Sequence, residues 1–412
     1  MLQAALLLLV VANLGRIPVF STGQRDAPIL ANDLFVLAAL LTAFLAMAHA
    51  REAKLDRVSL TGLLWASIGG LSLLVATSTF SLTVFEVSVS AAYLARWVFY
   101  FAIYIAAINV LTADDALPVW RALETAVVIF AAFGIVQAAF LPNFAQIVYP
   151  DSRRYIDWDP QYHRLVSTLL DPNFAGALIL SVLLVHLAQM TGGVKLAVWK
   201  PLLLVIALVL TASRSSLLAF VCGGLVILLV RGVGKRVLQF GLGAAVLLGL
   251  LAPRLLEYAK QYNKLELDAS ALSRLVMWAR GLRVFADHPV LGVGMNTWGF
   301  VQERYGWVRF GPASYGIEGG LLFVAVMTGV VGLIVFVSMF VFALARARAT
   351  WRSEHVPAEH RAIAVGAGAF TVALLVHSMF TNSLFLPFIL EPLFVLWALA
   401  RVTGFPTRQG SR

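Results

Sequence analysis

The sequence predicts an all-α integral membrane protein with about 12 transmembrane helices and a large, partly helical loop outside the membrane. Of its 412 residues, 60% are hydrophobic and 13% are charged, whereas a soluble domain carries about 25% charged residues. The mean hydropathy is +0.87. The apolar residues also fall in runs of roughly 18 residues or more, the length that a helix needs to cross a bilayer.

Twelve such runs define the predicted spans. Because no repeat or low-complexity linker divides them, residues 1–412 are predicted to form a single integral membrane domain. The first run, Met1–Phe20, lacks a basic start and a small-residue cleavage site, so we interpret it as a span rather than a signal peptide. The predicted spans are 2–20, 28–49, 58–79, 91–112, 117–141, 173–191, 195–212, 214–231, 236–256, 318–344, 361–381 and 386–403.

Basic residues predict the orientation of these spans, because cytoplasmic loops are enriched in Lys and Arg. The connections 51–57, 195–200, 231–236 and 346–361, together with the C-terminal tail, hold 15 of the 31 Lys and Arg residues. The order of the predicted spans puts all five segments on one side of the membrane. We assign that side, and both termini with it, to the cytoplasm.

Two loops on the opposite side, 142–172 and 253–317, are also basic. Long loops can be translocated whatever their charge, so these residues form either a solvated surface or an anion site on the external face. Ionisable residues within spans favour the anion site, because a charge inside the bilayer is costly. Arg96 and Glu391 lie near the external ends of their spans, where both can face an external cavity.

Other polar residues in the apolar runs have structural interpretations. Arg121 and Glu124 are three residues apart, a spacing that suits a local ion pair on one helix. The single cysteine, Cys222, allows no disulfide within the chain and is interpreted as a small core residue. Since no His, Cys, Asp or Glu residues have the spacing of metal ligands, we expect no metal and no cofactor.

Two helix starts are candidate anion sites. Arg214 follows Ser213 at the start of a predicted span, where hydroxyl groups and free amides can bind an anion. The alternative is an arginine that extends to the membrane interface, and the sequence leaves both open. Arg164 lies about two helical turns before the span that Asn173 opens, close enough to reach a headgroup. Asn173 itself is a plausible helix-capping residue.

The long loop contains a predicted amphipathic helix around residues 272–282, with apolar residues at helical spacing. Arg274 and Arg280 project away from the apolar stripe, and arginine suits phosphate because its guanidinium group binds two oxygens at once. His288-Pro289 ends the helix, and a turn follows at Gly292–Gly294. This turn is not a nucleotide-binding loop, because no strand precedes it and no GK[ST] sequence follows it.

Five short motifs, taken in their order along residues 165–335, resemble the O-antigen ligase/polymerase superfamily of bacterial envelope glycosyltransferases. They are Leu170–Asn173, Ser213-Arg214-Ser215, Ser273-Arg274 with Trp278, His288–Gly294 and Gly329–Leu333. The resemblance implies a GT-C-like fold in the bacterial inner membrane. It also implies a lipid-diphosphate-linked glycan donor and an inverting, metal-independent transfer at the periplasmic face.

The chain departs from the ligase pattern at one position. The ligases carry a histidine about eleven residues before the glycine that corresponds to Gly329, and here that position is Glu318. The departure favours the polymerase branch, which joins O-antigen or exopolysaccharide units. The alternatives are an O-antigen ligase or protein O-oligosaccharyltransferase and, in another class, a transporter or flippase. A transporter would place its charged residues near the bilayer midplane, whereas here they cluster at one face.

The resemblance also implies roles for individual residues. Arginine side chains would stabilise the charge on the departing diphosphate in place of a metal, and Glu318 would take the proton of the acceptor hydroxyl unless it serves only as an acidic residue at a helix start. The predicted catalytic residues are Glu318, Arg214, Arg274 and Arg280. The predicted substrate-binding residues are Arg164, Arg283, Asn173, Trp298 and Tyr305. The two aromatic rings among them would stack on sugars or lie in the membrane-interface belt.

The expected partners follow from this function. They are a polyprenyl-diphosphate-linked glycan donor, a glycan acceptor, the lipid bilayer and a chain-length regulator protein. We expect no nucleic acid partner.

Overall fold

The computed structural model describes residues 15, 18–20, 29–50, 54–144, 147, 164–231, 269–307 and 316–404. Within these residues the fold is almost entirely helical, which confirms the predicted class, with one short antiparallel strand pair, Pro18–Phe20 and Ile29–Leu30. The helices are α1 (Ala31–Ala50), α2 (Arg57–Thr79), α3 (Val84–Val110), α4 (Ala116–Phe140), α5 (Pro172–Thr191), α6 (Trp199–Leu210), α7 (Arg214–Arg231), α8 (Ala269–Asp287), α9 (Trp298–Arg304), α10 (Gly320–Arg352), α11 (Ala358–Ser378) and α12 (Pro387–Val402).

Ten of the twelve predicted spans fall on described residues, and each coincides with one of these helices. Seven helices of the described residues are long and apolar enough to cross a membrane: α2, α3, α4, α5, α7, α10 and α11. The apolar parts of α1 and α6 are shorter, and α12 has 16 residues. The predicted span 236–256 lies outside the described residues, as does most of 2–20, whose last three residues form a strand rather than a helix.

Side-chain caps fix where several helices begin. The Asp56 carboxylate accepts a hydrogen bond from the Ser59 amide at 2.9 Å at the start of α2, and Thr83 forms a capping box with Glu86 at the start of α3. At the start of α5 the cap is Asp171, not Asn173 as the sequence suggested. Its carboxylate satisfies two amides that have no partner within the helix.

Helix α10 is interrupted near its middle, and backbone from another part of the chain fills the break. Gly329 has φ 65° and ψ −170°, outside the helical region. The freed carbonyls of Val326 and Met327 accept hydrogen bonds from the amides of Val293 (2.9 Å) and Gly294 (3.0 Å). The Val330 amide, in turn, donates to a carbonyl just before this turn. The predicted turn after α8 is therefore docked onto the broken helix.

Two glycines are required for this docking. A Cβ atom on Gly329 would lie 2.0 Å from the carbonyl oxygen of Val290, and one on Gly292 would lie 2.3 Å from that of Val326. Both glycines also have positive φ, which other residues rarely adopt. Docking fixes the carboxyl end of α8 against α10. Helix α8 also packs against the start of α10, where Gly281 lies against Leu322 and against Ile317, which just precedes the helix.

Ionisable residues within the bundle have specific partners. Arg96 pairs with Asp33 at 2.8 Å. Glu391 is 2% exposed and accepts a hydrogen bond from Asn32 at 3.1 Å. Both belong to a polar cluster between α1, α3 and α12. Glu391 is buried in it and does not face an external cavity as expected, whereas Arg96 is partly exposed and pairs with Asp33.

The predicted local pair of Arg121 with Glu124 is also wrong. Glu124 instead contacts His186 at 2.8 Å and Lys200 at 2.9 Å, which join α4 to α5 and α6. Glu124 is almost completely buried, whereas Arg121 is exposed. A buried carboxylate gains most from partners that are themselves at the helix interface.

Candidate functional site

The centre of the candidate site is an ion pair between Arg274 of α8 and Glu318, which lies just before α10. The Nε atom of Arg274 donates to a carboxylate oxygen of Glu318. One helical turn along α8, the indole nitrogen of Trp278 donates to the backbone carbonyl of Glu318. The structure thus brings together the arginine and tryptophan of one motif and the carboxylate at the position where the ligases carry histidine.

The surroundings of Glu318 change the chemistry of its carboxyl group. About half of the side chain, 48%, is exposed, yet the neighbouring protein removes enough water to raise its pKa above the ordinary value of 4.5. The positive charge of Arg274 opposes this rise in pKa, and the negative charge of Asp171 adds to it. Gly316, Gly319 and Gly320 flank Glu318 in the sequence. The space that a side chain would need at these glycines is taken by Asn382, Trp278 and Leu384.

A second part of the site is the turn that begins α7. Arg214 is exposed at its start, while Ser213 and Ser216 on either side are buried. The Ser213 hydroxyl donates to the Asn173 side-chain oxygen at 2.8 Å, and the Ser216 hydroxyl lies 2.9 Å from the Ser213 hydroxyl. Asn173, predicted to bind substrate, therefore holds the turn that carries Arg214.

Arg164 supports the same turn from the other side. Its Nε atom donates to the Thr211 carbonyl at 2.9 Å, and one terminal nitrogen reaches the Ala212 carbonyl at 3.5 Å. These carbonyls follow the carboxyl end of α6, where a positive charge is favourable. Arg164, which the sequence predicts to bind substrate, thus contacts backbone carbonyls of its own chain in this structure. The remainder of the predicted loop, 148–163, lies outside the described residues.

The two parts of the site are joined by His377, a residue that the sequence analysis did not identify. His377 lies near the end of α11, is 0% exposed, and contacts Ser216 and Ser383 through its two ring nitrogens. Ser383 belongs to the turn before α12, next to Asn382, whose side chain packs against Gly316. A single histidine in an apolar run has no motif around it, so no sequence signal indicated this position.

Arg280 and Arg283 belong to a separate cluster on α8. Their guanidinium groups lie 5.5 Å and 5.7 Å from the centre of the Trp307 ring. Tyr305 packs against the same ring at 4.6 Å and donates a hydrogen bond to Asp287 at 2.9 Å. The predicted catalytic Arg280 and substrate-binding Arg283 therefore contact an aromatic surface rather than the Arg274–Glu318 pair.

Trp298 does not have the surface that a sugar would need. It is 0% exposed, and its ring is part of the hydrophobic core, so the prediction of a sugar contact is corrected to a packing role. Tyr305 remains accessible and lines an open cleft with Arg304 and residues 79–81. Arg304 is held in a two-pronged ion pair with Glu86, at 2.6 Å and 2.7 Å, so this loop arginine is neutralised rather than directed at an anion.

The cations at this site are arginines. Among the described residues, no three His, Cys, Asp or Glu side chains form a group that could hold a metal ion. The loop segments 253–268 and 308–315, which hold further predicted basic residues, lie outside the described part of the chain. Metal independence stays a prediction.

Comparison with known proteins bears on the central part of the chain. A family profile described as O-Antigen ligase matches residues 202–337, about a third of the chain. No curated protein matches it. The matched segment begins in α6, ends in α10 and includes Arg214, Arg274 and Glu318, whereas Asn173 and His377 lie outside it. The match does not separate ligases from polymerases, but it confirms the resemblance: residues 202–337 are similar to the O-antigen ligase family within the ligase/polymerase superfamily.

Proposed function

We propose that this protein is a polysaccharide polymerase. It transfers a glycan from a polyprenyl-diphosphate donor to a sugar hydroxyl at the periplasmic face of the bacterial inner membrane, inverts the anomeric centre and uses no metal. The observation that carries the proposal is the ion pair between Arg274 and Glu318. It combines a proton acceptor and a phosphate-binding side chain at one point of a superfamily domain.

Glu318 is the proposed general base. A sugar hydroxyl attacks the anomeric carbon of the donor and its proton passes to the Glu318 carboxylate, while the bond from the anomeric carbon to the diphosphate oxygen breaks with its electron pair. The raised pKa of Glu318 makes the ionised carboxylate a stronger base than an ordinary one. About half of the Glu318 side chain is exposed, so the acceptor sugar can reach its carboxylate.

Arg274 and Arg214 are the proposed stabilisers of the leaving diphosphate. Arg274 contacts Glu318 through Nε, and its two terminal nitrogens are the groups that would bind phosphate oxygens in the two-point geometry of a guanidinium. Arg214 is exposed at the first turn of α7, where helix amides also favour an anion. Oriented positive charge at the departing group is commonly the largest single contribution to catalysis.

The aromatic cluster of Tyr305 and Trp307 is the proposed sugar-binding surface. Two guanidinium groups already cover part of the Trp307 ring, and Tyr305 lines the adjoining cleft. The carboxylate at position 318 supports the polymerase branch over the ligase branch. A chain-length regulator would be a partner of such a polymerase.

The direct test uses the purified protein with a lipid-diphosphate-linked repeat unit. Arg214→Ala and Arg274→Ala should each abolish polymer formation, and lysine at either position should restore little, because it loses the two-point contact. Arg348→Ala and Arg352→Ala are matched controls, since both arginines are exposed at the far end of α10. Wild-type chain distributions in both Arg214→Ala and Arg274→Ala would place the diphosphate site elsewhere.

A deletion strain distinguishes polymerase from ligase. Loss of a polymerase leaves surface lipid that carries one repeat unit, whereas loss of a ligase leaves polymer on the carrier lipid. The first pattern is expected here, and the second would reassign the protein to the ligase branch.

A further inference from the structure

His377 lies in an unbroken series of hydrogen bonds that runs from Asn173 to Ser383, between the two halves of the candidate site. Its Nε2 atom lies 3.1 Å from the Ser216 hydroxyl, and its Nδ1 atom lies 2.9 Å from the Ser383 hydroxyl. All three side chains are completely buried. Because both ring nitrogens have partners, the orientation of the imidazole is fixed.

The direction of these hydrogen bonds is set by the last acceptor. The Asn173 side-chain oxygen only accepts, so Ser213 donates to it at 2.8 Å. Ser213 then accepts from Ser216 at 2.9 Å, and Ser216 accepts from the Nε2–H group of His377. This leaves Nδ1 as an acceptor for Ser383. A neutral histidine thus satisfies both hydroxyls, and each donor polarises the next.

One end of this series holds Arg214. Ser213 directly precedes Arg214, and the Ser216 hydroxyl packs so closely on α5 that a Cβ atom at Gly176 would lie 2.3 Å from it. The first turn of α7 therefore has no room to move relative to α5. A shift of His377 would break its hydrogen bond to Ser216. The first turn of α7 would then move, and the Arg214 side chain would point in a different direction.

The other end of the series holds the segment that carries Glu318. Ser383 adjoins Asn382, whose amide nitrogen would lie 2.9 Å from a Cβ atom on Gly316. A Cβ atom on Gly320 would lie 3.0 Å from Leu384 and 3.1 Å from Ser378. The end of α11 and the turn before α12 are thus packed against the glycines on either side of Glu318. His377 is the only described residue that hydrogen-bonds to both Ser216 and Ser383.

We infer that His377 is a positioning residue that sets Arg214 and Glu318 at their working separation. This inference rests on the proposed function, in which Arg214 binds the diphosphate and Glu318 takes the proton. His377 itself contacts neither substrate nor reacting atoms. A displacement of about 1 Å at a reacting group can cost roughly 100-fold in rate, so a buried group that fixes two such residues together has a large effect on turnover.

The experiment measures kcat and KM of the purified protein with a lipid-diphosphate-linked repeat unit. His377→Ala should lower kcat by about 10- to 100-fold with little change in KM. His377→Gln keeps an N–H donor near the Nε2 position and should recover more activity than His377→Asn, which reaches only the Nδ1 position. A purely structural role would not produce this order of rescue.

Smaller variants keep the test decisive if His377→Ala fails to fold. Ser216→Ala removes the hydroxyl that contacts Ser213 and His377, and Ser383→Ala removes the hydroxyl at the other ring nitrogen. Neither change empties the ring's space, and each should lower kcat by about 3- to 10-fold. Ser181→Ala is the matched control, because among the described residues this buried hydroxyl bonds within α5 alone, at 2.6 Å to the Leu178 carbonyl. Its kcat should equal that of the unmodified protein.

A cycle with Arg214→Lys tests whether His377 acts through Arg214. Once Arg214 has lost its two-point contact, removing the Ser216 hydroxyl should cost little more, so the two losses should be less than additive. If Arg214→Ala abolishes activity but the His377, Ser216 and Ser383 variants all keep the unmodified kcat, the inference is wrong while the proposed function stands. If Arg214→Ala is itself active, the proposed function fails first.

Discussion

Replacing Glu318 with glutamine separates a catalytic role from a structural one. Glutamine has nearly the same shape but cannot accept the proton, so the rate should fall roughly 100- to 10,000-fold, the usual contribution of a positioned base. That loss corresponds to about 2.7–5.4 kcal/mol of transition-state stabilisation at 1.36 kcal/mol per factor of ten. The assay is polymer formation by the purified variant at matched protein concentration.

The stability of the same variant should change much less. The Glu318 side chain is 48% exposed and that of Arg274 is 20% exposed, so their ion pair is screened by solvent and is worth at most about 1 kcal/mol. The hydrogen bond from Trp278 goes to the backbone carbonyl of Glu318 and survives the substitution. The loss of activity should therefore exceed any loss of stability by a wide margin, as thermal unfolding in detergent can show.

Glu354→Gln is the matched control for this prediction. Glu354 is exposed in the turn between α10 and α11, and the same change of charge there should leave turnover unaffected. If Glu318 only favours the helix dipole at the start of α10, its replacement by glutamine costs a fraction of a kcal/mol and leaves turnover nearly intact. Near-normal polymer length from Glu318→Gln at normal expression would remove this residue from the mechanism.

Three further predictions follow from the structure. Activity should fall on acidification around the raised pKa of Glu318, because the base becomes protonated. Asp171→Asn still caps α5 but removes a negative charge that raises this pKa, so the acid limb of the pH–rate profile should move to lower pH. An acid limb that does not move would contradict the electrostatic argument. Gly329→Ala should lower the free energy of unfolding by about 3 kcal/mol or more, because it adds backbone strain and forces apart hydrogen bonds of about 1 kcal/mol each around a 2.0 Å contact; Gly70→Ala, whose new Cβ would meet nothing closer than 3.9 Å, should unfold like the unmodified protein. Polymer formation should continue in EDTA, and an absolute requirement for Mg²⁺ would overturn the assignment of the leaving-group charge to arginine.

The sequence by itself determined the membrane class and the positions of most helices. Those properties depend on local information: a run of apolar residues of sufficient length and a polar residue that caps its first turn. The sequence predicted helix positions better than helix lengths. The apolar run 195–212 predicts one span, whereas α6 extends only from Trp199 to Leu210. The motif residues Arg214, Arg274 and Glu318 were also found from sequence, through a resemblance that requires only their order and spacing.

Only the tertiary structure decided which polar groups meet. Glu124 lies three residues from Arg121 yet pairs with His186 and Lys200, because a buried carboxylate takes its partners from the helices packed against it. His377 gained its importance in the same way, through a hydroxyl 161 residues away in sequence.

The turn at Gly292–Gly294 shows the same division most clearly. The sequence predicted a turn there, and it also contained Gly329 within an apolar run. The sequence did not reveal that amides of this turn bond to the carbonyls freed where α10 breaks at Gly329. Unpaired backbone groups inside a bundle can be satisfied by any segment that reaches them. That docking fixes α8 against α10, and so it is the tertiary structure that places Arg274 beside Glu318.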